Sequence, residues 1–257
     1  MRSRLLRVAT AALLSVVVTL PLGARPVHAA IDWGKVITAA IGAIGSWLGS
    51  NGTQAAIQEA TRQILAAVNT ARSDILAHME TIAVADARSC ANHAVIEFID
   101  IERMTPDNMQ RFAQDATGCA VRIDSLLPAI TDKARVDQLG IALNVVAPIA
   151  LVARARTGLT TDALENTLRA ANVAIIPKLA PSCTVYSYDF DPELPLPSPG
   201  QIVTYHLYCW AYNNDGGSHS VFLPYPQAPT DQHFAVAQDQ ATRNTSRAIA
   251  QRVLPLF

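Results

Sequence analysis

The 257-residue chain is poor in aromatic side chains, at 6%, and has three lysines (Lys35, Lys133 and Lys178) among twenty basic residues. Half of its residues are hydrophobic. That apolar content therefore rests on Ala, Leu, Ile and Val, a composition that favours helices. The scarcity of Lys fits a GC-rich bacterial coding sequence. The formal net charge is −1, so no excess of positive charge marks a nucleic-acid partner. G-x-S-x-G, phosphate-loop, dinucleotide-binding and H-E-x-x-H patterns are all missing, and no cofactor is predicted. Gly and Pro, the usual helix breakers, do not occur between Thr53 and Met104.

That long run organises the chain. Ile57, Ile64, Val68, Ala71, Ile75 and Ile82 recur at spacings of three and four, with Leu65, Leu76 and Met79 beside them. This places them on one side of a helix whose other side carries Gln58, Glu59, Arg62, Arg72 and Asp74. A straight helix of this length would reach about 75 Å, so a break is expected within it.

Residues 1–29 read as a secretory signal peptide. Arg2, Arg4 and Arg7 precede an apolar stretch from Val8 to Leu20, and Val27-His28-Ala29 supplies a small-residue cleavage pattern. The stretch is too short to span a bilayer comfortably. Cleavage near Ala29 predicts a secreted, extracellular protein. It also removes four of the twenty basic residues and no acid, leaving sixteen against twenty-one and a net charge of −5.

The four cysteines, Cys90, Cys119, Cys183 and Cys209, all follow the leader. An even count in an exported chain predicts two disulfides. Thr105-Pro106-Asp107 reads as an N-cap, a proline at the first helical position and an acid in the first turn. It lies midway between Cys90 and Cys119, so two helices folding back there bring those cysteines level. Leu196, midway between Cys183 and Cys209, lies in the Pro-rich connection Asp191 to Gly200. Sequential pairing follows.

Ile31 to Ser50 is apolar, with Asp32 and Lys35 its only charges. Trp33, Ile37, Ile41, Ile44 and Leu48 fall at helical spacing, with Trp47 alongside, while Gly34, Gly42, Gly45 and Gly49 keep another side small. One reading is a helix that inserts into membrane lipid. The other is a helix buried in a bundle, favoured because membrane-active helices usually carry several cations.

Further on, Asp132 to Val146 reads as a helix, with Pro148 interrupting the apolar stretch Leu139 to Ala153. Another helix runs from Thr161 or Asp162 to Pro177. From Cys183 the pattern changes to period two, and all six tyrosines lie from here to Tyr225. Thr184 to Phe190 and Ile202 to Tyr212 read as antiparallel strands, with Ser218 to Leu223 a third. Pairing Cys183 with Cys209 puts Val185, Val203 and Leu207 on their face. Tyr186, Tyr188, Phe190, His206, Tyr208, Trp210 and Tyr212 fall on the other. Such a face suits sugar rings or a partner's apolar side chains. It also suits the seam by which a small sheet is laid on helices, and the need of small sheets for support favours that second role. A single helix from about Asp231 to Val253 closes the chain.

The candidates for chemistry are sparse. His78-Met79-Glu80 opens like a zinc-deaminase signature but lacks the C-x-x-C half. His206, His219 and His233 are spaced like no compact metal motif, and no metal site is predicted. Asp189, Asp191 and Glu193 lie in a Pro-rich loop, where a solvated acidic turn is favoured over a glycosidase pair.

The layout expected is mainly α: residues 30–181 an antiparallel helical bundle, residues 182–257 a small disulfide-linked antiparallel sheet plus a C-terminal helix. An exported, Ala-rich bundle with an apolar leading helix resembles α-helical pore-forming toxins in layout, with no shared motif. The leading functional expectation is a secreted, non-catalytic binding protein for another protein or a cell-surface glycan. A membrane-active protein comes second, and a hydrolase with a non-local site third.

Overall fold

The computed structural model describes Gly42, residues 53–187 and residues 196–256. The leader and the apolar segment with Trp33, Ile37, Ile41, Ile44, Trp47 and Leu48 lie outside the described residues. The architecture is mainly α with a minor antiparallel sheet near the C-terminus.

The long Gly- and Pro-free run forms two helices, α1 (Gln54–Glu80) and α2 (Ala85–Phe98). Thr53 caps α1, its side chain accepting from the Ala56 N–H. The break has a cause in the pattern. Continuing the apolar stripe from Met79 at helical period would have turned Asp86, Ser89 and His93 inward, and all three are exposed. Instead the chain turns at Thr81, buries Ile82, and resumes with Ala87, Ala91, Ala94, Val95 and Phe98 inward. β-Branched Thr81, Ile82 and Val84 make that turn inexpensive for the helix.

Helix α3 (Pro106–Leu126) starts as expected, with the Thr105 hydroxyl accepting from the Asn108 N–H and Pro106 in the first turn. It runs back along α2, and the Cys90–Cys119 disulfide joins them with Cα atoms 5.5 Å apart.

Helix α4 (Lys133–Arg156) is the centre of the bundle: every residue from Leu139 to Ala153 is buried. The expected interruption at Pro148 does not occur. An interior proline costs about 3 kcal/mol. Burying Val145, Val146, Ile149, Leu151 and Val152 on both sides of it, at about 1.5–3 kcal/mol each, outweighs that cost. Helix α5 (Asp162–Lys178) packs on α4. A buried amide pair joins them, Asn144 Nδ2 donating to Asn172 Oδ1 at 3.0 Å.

Three antiparallel strands follow in the order β1 (Ser182–Tyr186), β2 (Ile202–Trp210), β3 (Gly216–Pro224). The expected single closing helix is two, α6 (Asp231–Thr242) and α7 (Ser246–Val253). Thr245 Oγ1 donates to Thr242 O at 2.8 Å, a local bond that competes with helix continuation. The break allows two roles: α6 lies on β3 and β2, while α7 enters the bundle beside α4 and α5. Gly217 makes the first possible. A Cβ there would stand 2.1 Å from Ala237 O and 2.7 Å from Ala241 N, so the backbones of β3 and α6 touch.

Asp137 on α4 joins the two parts. Its carboxylate, buried, accepts from the Tyr212 hydroxyl at 2.6 Å and from the Ser246 N–H at 2.5 Å. Burial first, then the Asp137 charge, pushes the Tyr212 phenol above its usual range. His78 on α1 also lies near Asp137. Burial holds its imidazole below the usual 6.5, outweighing a hydrogen bond with Gln138 and the Asp137 charge.

Two outcomes follow from these contacts. Gly217→Ala forces β3 and α6 apart and lowers stability by about 1–3 kcal/mol, read by denaturant titration. His78 takes up its proton more readily unfolded than folded, so its contribution is full above about pH 6.5 and is lost as the pH falls below that. Denaturation midpoints measured across this range should decline for the native chain and less steeply for His78→Gln.

Candidate functional site

The sheet has two unlike faces, set by register. Cys183 stands opposite Cys209 and Val185 opposite Leu207, while Thr184 stands opposite Tyr208 and Tyr186 opposite His206. Val203, Tyr205, Leu207, Cys209, Val221 and Leu223 are buried on the inner side, where α6 supplies Phe234, Ala237 and Ala241. Val185 shares their parity but is exposed on the edge strand.

The outer side corrects one expectation. Sequence pattern favoured the aromatic face as the seam against the helices, but it is the disulfide face that is covered. Beside Gly217 that face carries the small Cys209, which lets α6 come to backbone contact, where a Tyr or Trp ring would hold it off. The rings of Tyr186, Tyr208 and Trp210 stand on the open side. Tyr186 is 63% exposed and Trp210 44%. Tyr208 meets Trp210 in a stacked arrangement with centroids 6.0 Å apart, and meets Tyr186 edge-on at 6.1 Å.

Around this row the register of β3 adds residues that the sequence pattern did not single out. Phe222, 67% exposed, pairs with Thr204; Ser220 pairs with His206 and Ser218 with Tyr208. His206 Nδ1 and Ser220 Oγ lie 3.0 Å apart. Ser182, Thr184, Ile202, Gly216 and Pro224 complete the described part of the face, and no described residue on it is charged. The period-two run Ser218, Ser220, Phe222 carried this signal and needed only the β2–β3 register to be placed.

Tyr212 is a second correction. It lies past the end of β2, packs partly buried against the bundle core and donates to Asp137. The turn after Trp210 carries it out of the alternation. Tyr188 and Phe190 lie outside the described residues, as do Asp189, Asp191 and Glu193.

The three histidines near the sheet are not brought together. His206 is on the outer face, His219 pairs with Leu207 on the inner parity, and His233 Nδ1 accepts from the Thr230 N–H to cap α6. Among the described residues no group of three or more His, Cys, Asp or Glu side chains is placed to hold a metal. Of His78-Met79-Glu80, Met79 is buried in the core and Glu80 accepts from Asn92 at 2.8 Å. A separate cleft of about 390 Å³ opens between α2 and α3 beside the Cys90–Cys119 disulfide, with Asp86, His93, Asp115 and Arg122 on its walls. The chain matches no family model, no curated protein and no solved structure.

β1 buries little, so the Cys183–Cys209 bridge reinforces the backbone ladder that pairs it with β2 beneath the aromatic row. Replacing both cysteines by Ala, with a sequence separation of 26 residues, should lower stability by about 3 kcal/mol. The near-ultraviolet circular dichroism of the Tyr and Trp rings should weaken with it.

Proposed function

We propose that this is a secreted, non-catalytic protein that binds neutral carbohydrate on the outer face of its sheet. The observation that carries the reading is the exposed row Tyr186, Tyr208 and Trp210 on a face where no described residue is charged. Aromatic rings offer flat apolar surfaces to the C–H side of a pyranose. The hydroxyls of Ser182, Thr184 and Ser218 offer neutral donors and acceptors at the ring edges. A nucleic-acid surface would carry Lys and Arg, and a glycosidase site would carry paired carboxylates. The described residues of the face hold neither. Contiguous exposed apolar surface of this kind marks interaction sites on soluble proteins. Secretion is supported by the leader-like residues 1–29 and by two disulfides, which persist in oxidising compartments.

The test is retention on insoluble neutral glycans, chitin and cellulose among them, followed by calorimetry with soluble fragments. Tyr208→Ala combined with Trp210→Ala should weaken binding about tenfold or more, corresponding to the loss of about 1.4 kcal/mol or more. Val173→Ala, exposed on α5, should leave binding unchanged. Native protein that ignores every neutral glycan, or a double variant that binds as well as the native chain, would sink the proposal.

A further inference from the structure

Strand β3 is an edge strand, paired with β2 on one side. Which of its backbone groups face the open side follows from three hydrogen bonds. Ala211 N–H donates to Asp215 O at 2.9 Å and Tyr225 N–H to Gln201 O at 2.8 Å, bounding the β2–β3 ladder at both ends. In an antiparallel ladder bonded pairs alternate with unbonded ones. Gly217, His219, Val221 and Leu223 therefore turn their N–H and C=O toward β2, and Gly216, Ser218, Ser220 and Phe222 turn theirs away. The third bond agrees: the outward Ser218 N–H is taken by Gln240 Oε1 at 2.9 Å. Pro224, of the same parity, has no N–H to present.

The open stretch is thus short and defined. Ser220 and Phe222 each offer an outward N–H and C=O, one on each side of Val221, and no described residue takes them. Edge strands of monomers are usually guarded by charge, above all Lys. Strand β3 has no Lys, Arg, Asp or Glu.

We propose that two copies of this chain associate through this edge, their β3 strands antiparallel about Val221, into one continuous sheet with three strands from each copy. The arrangement of open groups is what selects a second copy. A two-fold axis at Val221 sets Ser220 of each chain opposite Phe222 of the other. Each such pair exchanges two backbone hydrogen bonds, so the open groups of Ser220 and Phe222 are satisfied by the same surface on the other chain. With no charge on either strand, nothing opposes the contact or favours a charged partner. The axis stands across the sheet, so both aromatic faces end on the same side, with Phe222 of each copy beside Ser220 of the other. Avidity for a polymeric glycan would follow only if the carbohydrate reading also holds; the association does not depend on it.

Sedimentation equilibrium of the purified protein over a concentration series provides the test, with a species at twice the chain mass expected. Ser220→Pro should abolish it. The Ser220 N–H lies outside the β2 ladder, and proline is tolerated on edge strands with that side open. Circular dichroism and thermal melting check that this variant folds. Should it fail to fold, Phe222→Glu decides: it keeps every backbone group but sets a charge next to each side of the axis. It should weaken association at least tenfold, with partial recovery in high salt. Native protein sedimenting only as single chains overturns the proposal, as does a folded Ser220→Pro, or a Phe222→Glu, that associates undiminished. Glycan retention is scored on the same samples, so each idea fails on its own readout.

Discussion

Asp137 is buried on the central helix and accepts hydrogen bonds from two places far apart in the chain, Tyr212 past the end of β2 and Ser246 at the start of α7. A buried carboxylate without partners would be too costly to keep. The folded state therefore brings both donors to it, and in doing so positions the sheet and the last helix against the bundle. The hydroxyl comes from a turn and the N–H from a helix start, where unsatisfied donors are available. Close packing reinforces the same junction: at Gly140, one turn further along α4, a Cβ would meet Ser246 Oγ at 2.4 Å. Glycine at that point lets α7 lie against the central helix.

That junction leaves the sheet with one covered side and one open side. Helix α6 takes the disulfide face at backbone contact through Gly217, and α7 continues into the bundle. No described element covers the outer face, which keeps its rings in solvent. The candidate site is thus a consequence of how the sheet is supported. Had the aromatic face been the seam, the bulk of Trp210 and Tyr208 would have held α6 away and left Gly217 without a reason.

Much of this was legible in the residues. The stripe from Ile57 to Ile82, the Thr105-Pro106-Asp107 start and the two disulfide pairings follow from local periodicity, capping chemistry and symmetry about turns, which need only near neighbours in sequence. The register of β1 on β2 followed from one bridge, since a period of two leaves no freedom once a single pair is known. The break expected within the long run has a local signal too: the change of phase after Ile82 is visible as polar Asp86, Ser89 and His93 where apolar residues were due.

Other features depend on distant parts of the chain. Pro148 looks like a helix end in isolation; it is helical because neighbours surround α4 and their packing outweighs its local cost. The division of the closing helix combines the local Thr245–Thr242 bond with the meeting of Ser246 and Asp137, 109 positions apart. Side-chain alternation sorted the residues of the sheet into two sets but carried no information on which set another element would cover. That choice was made by the approach distance available to α6, a property of two backbones meeting in space. Local order along this chain came from short-range periodicity, and the exposure of its aromatic row came from three-dimensional packing.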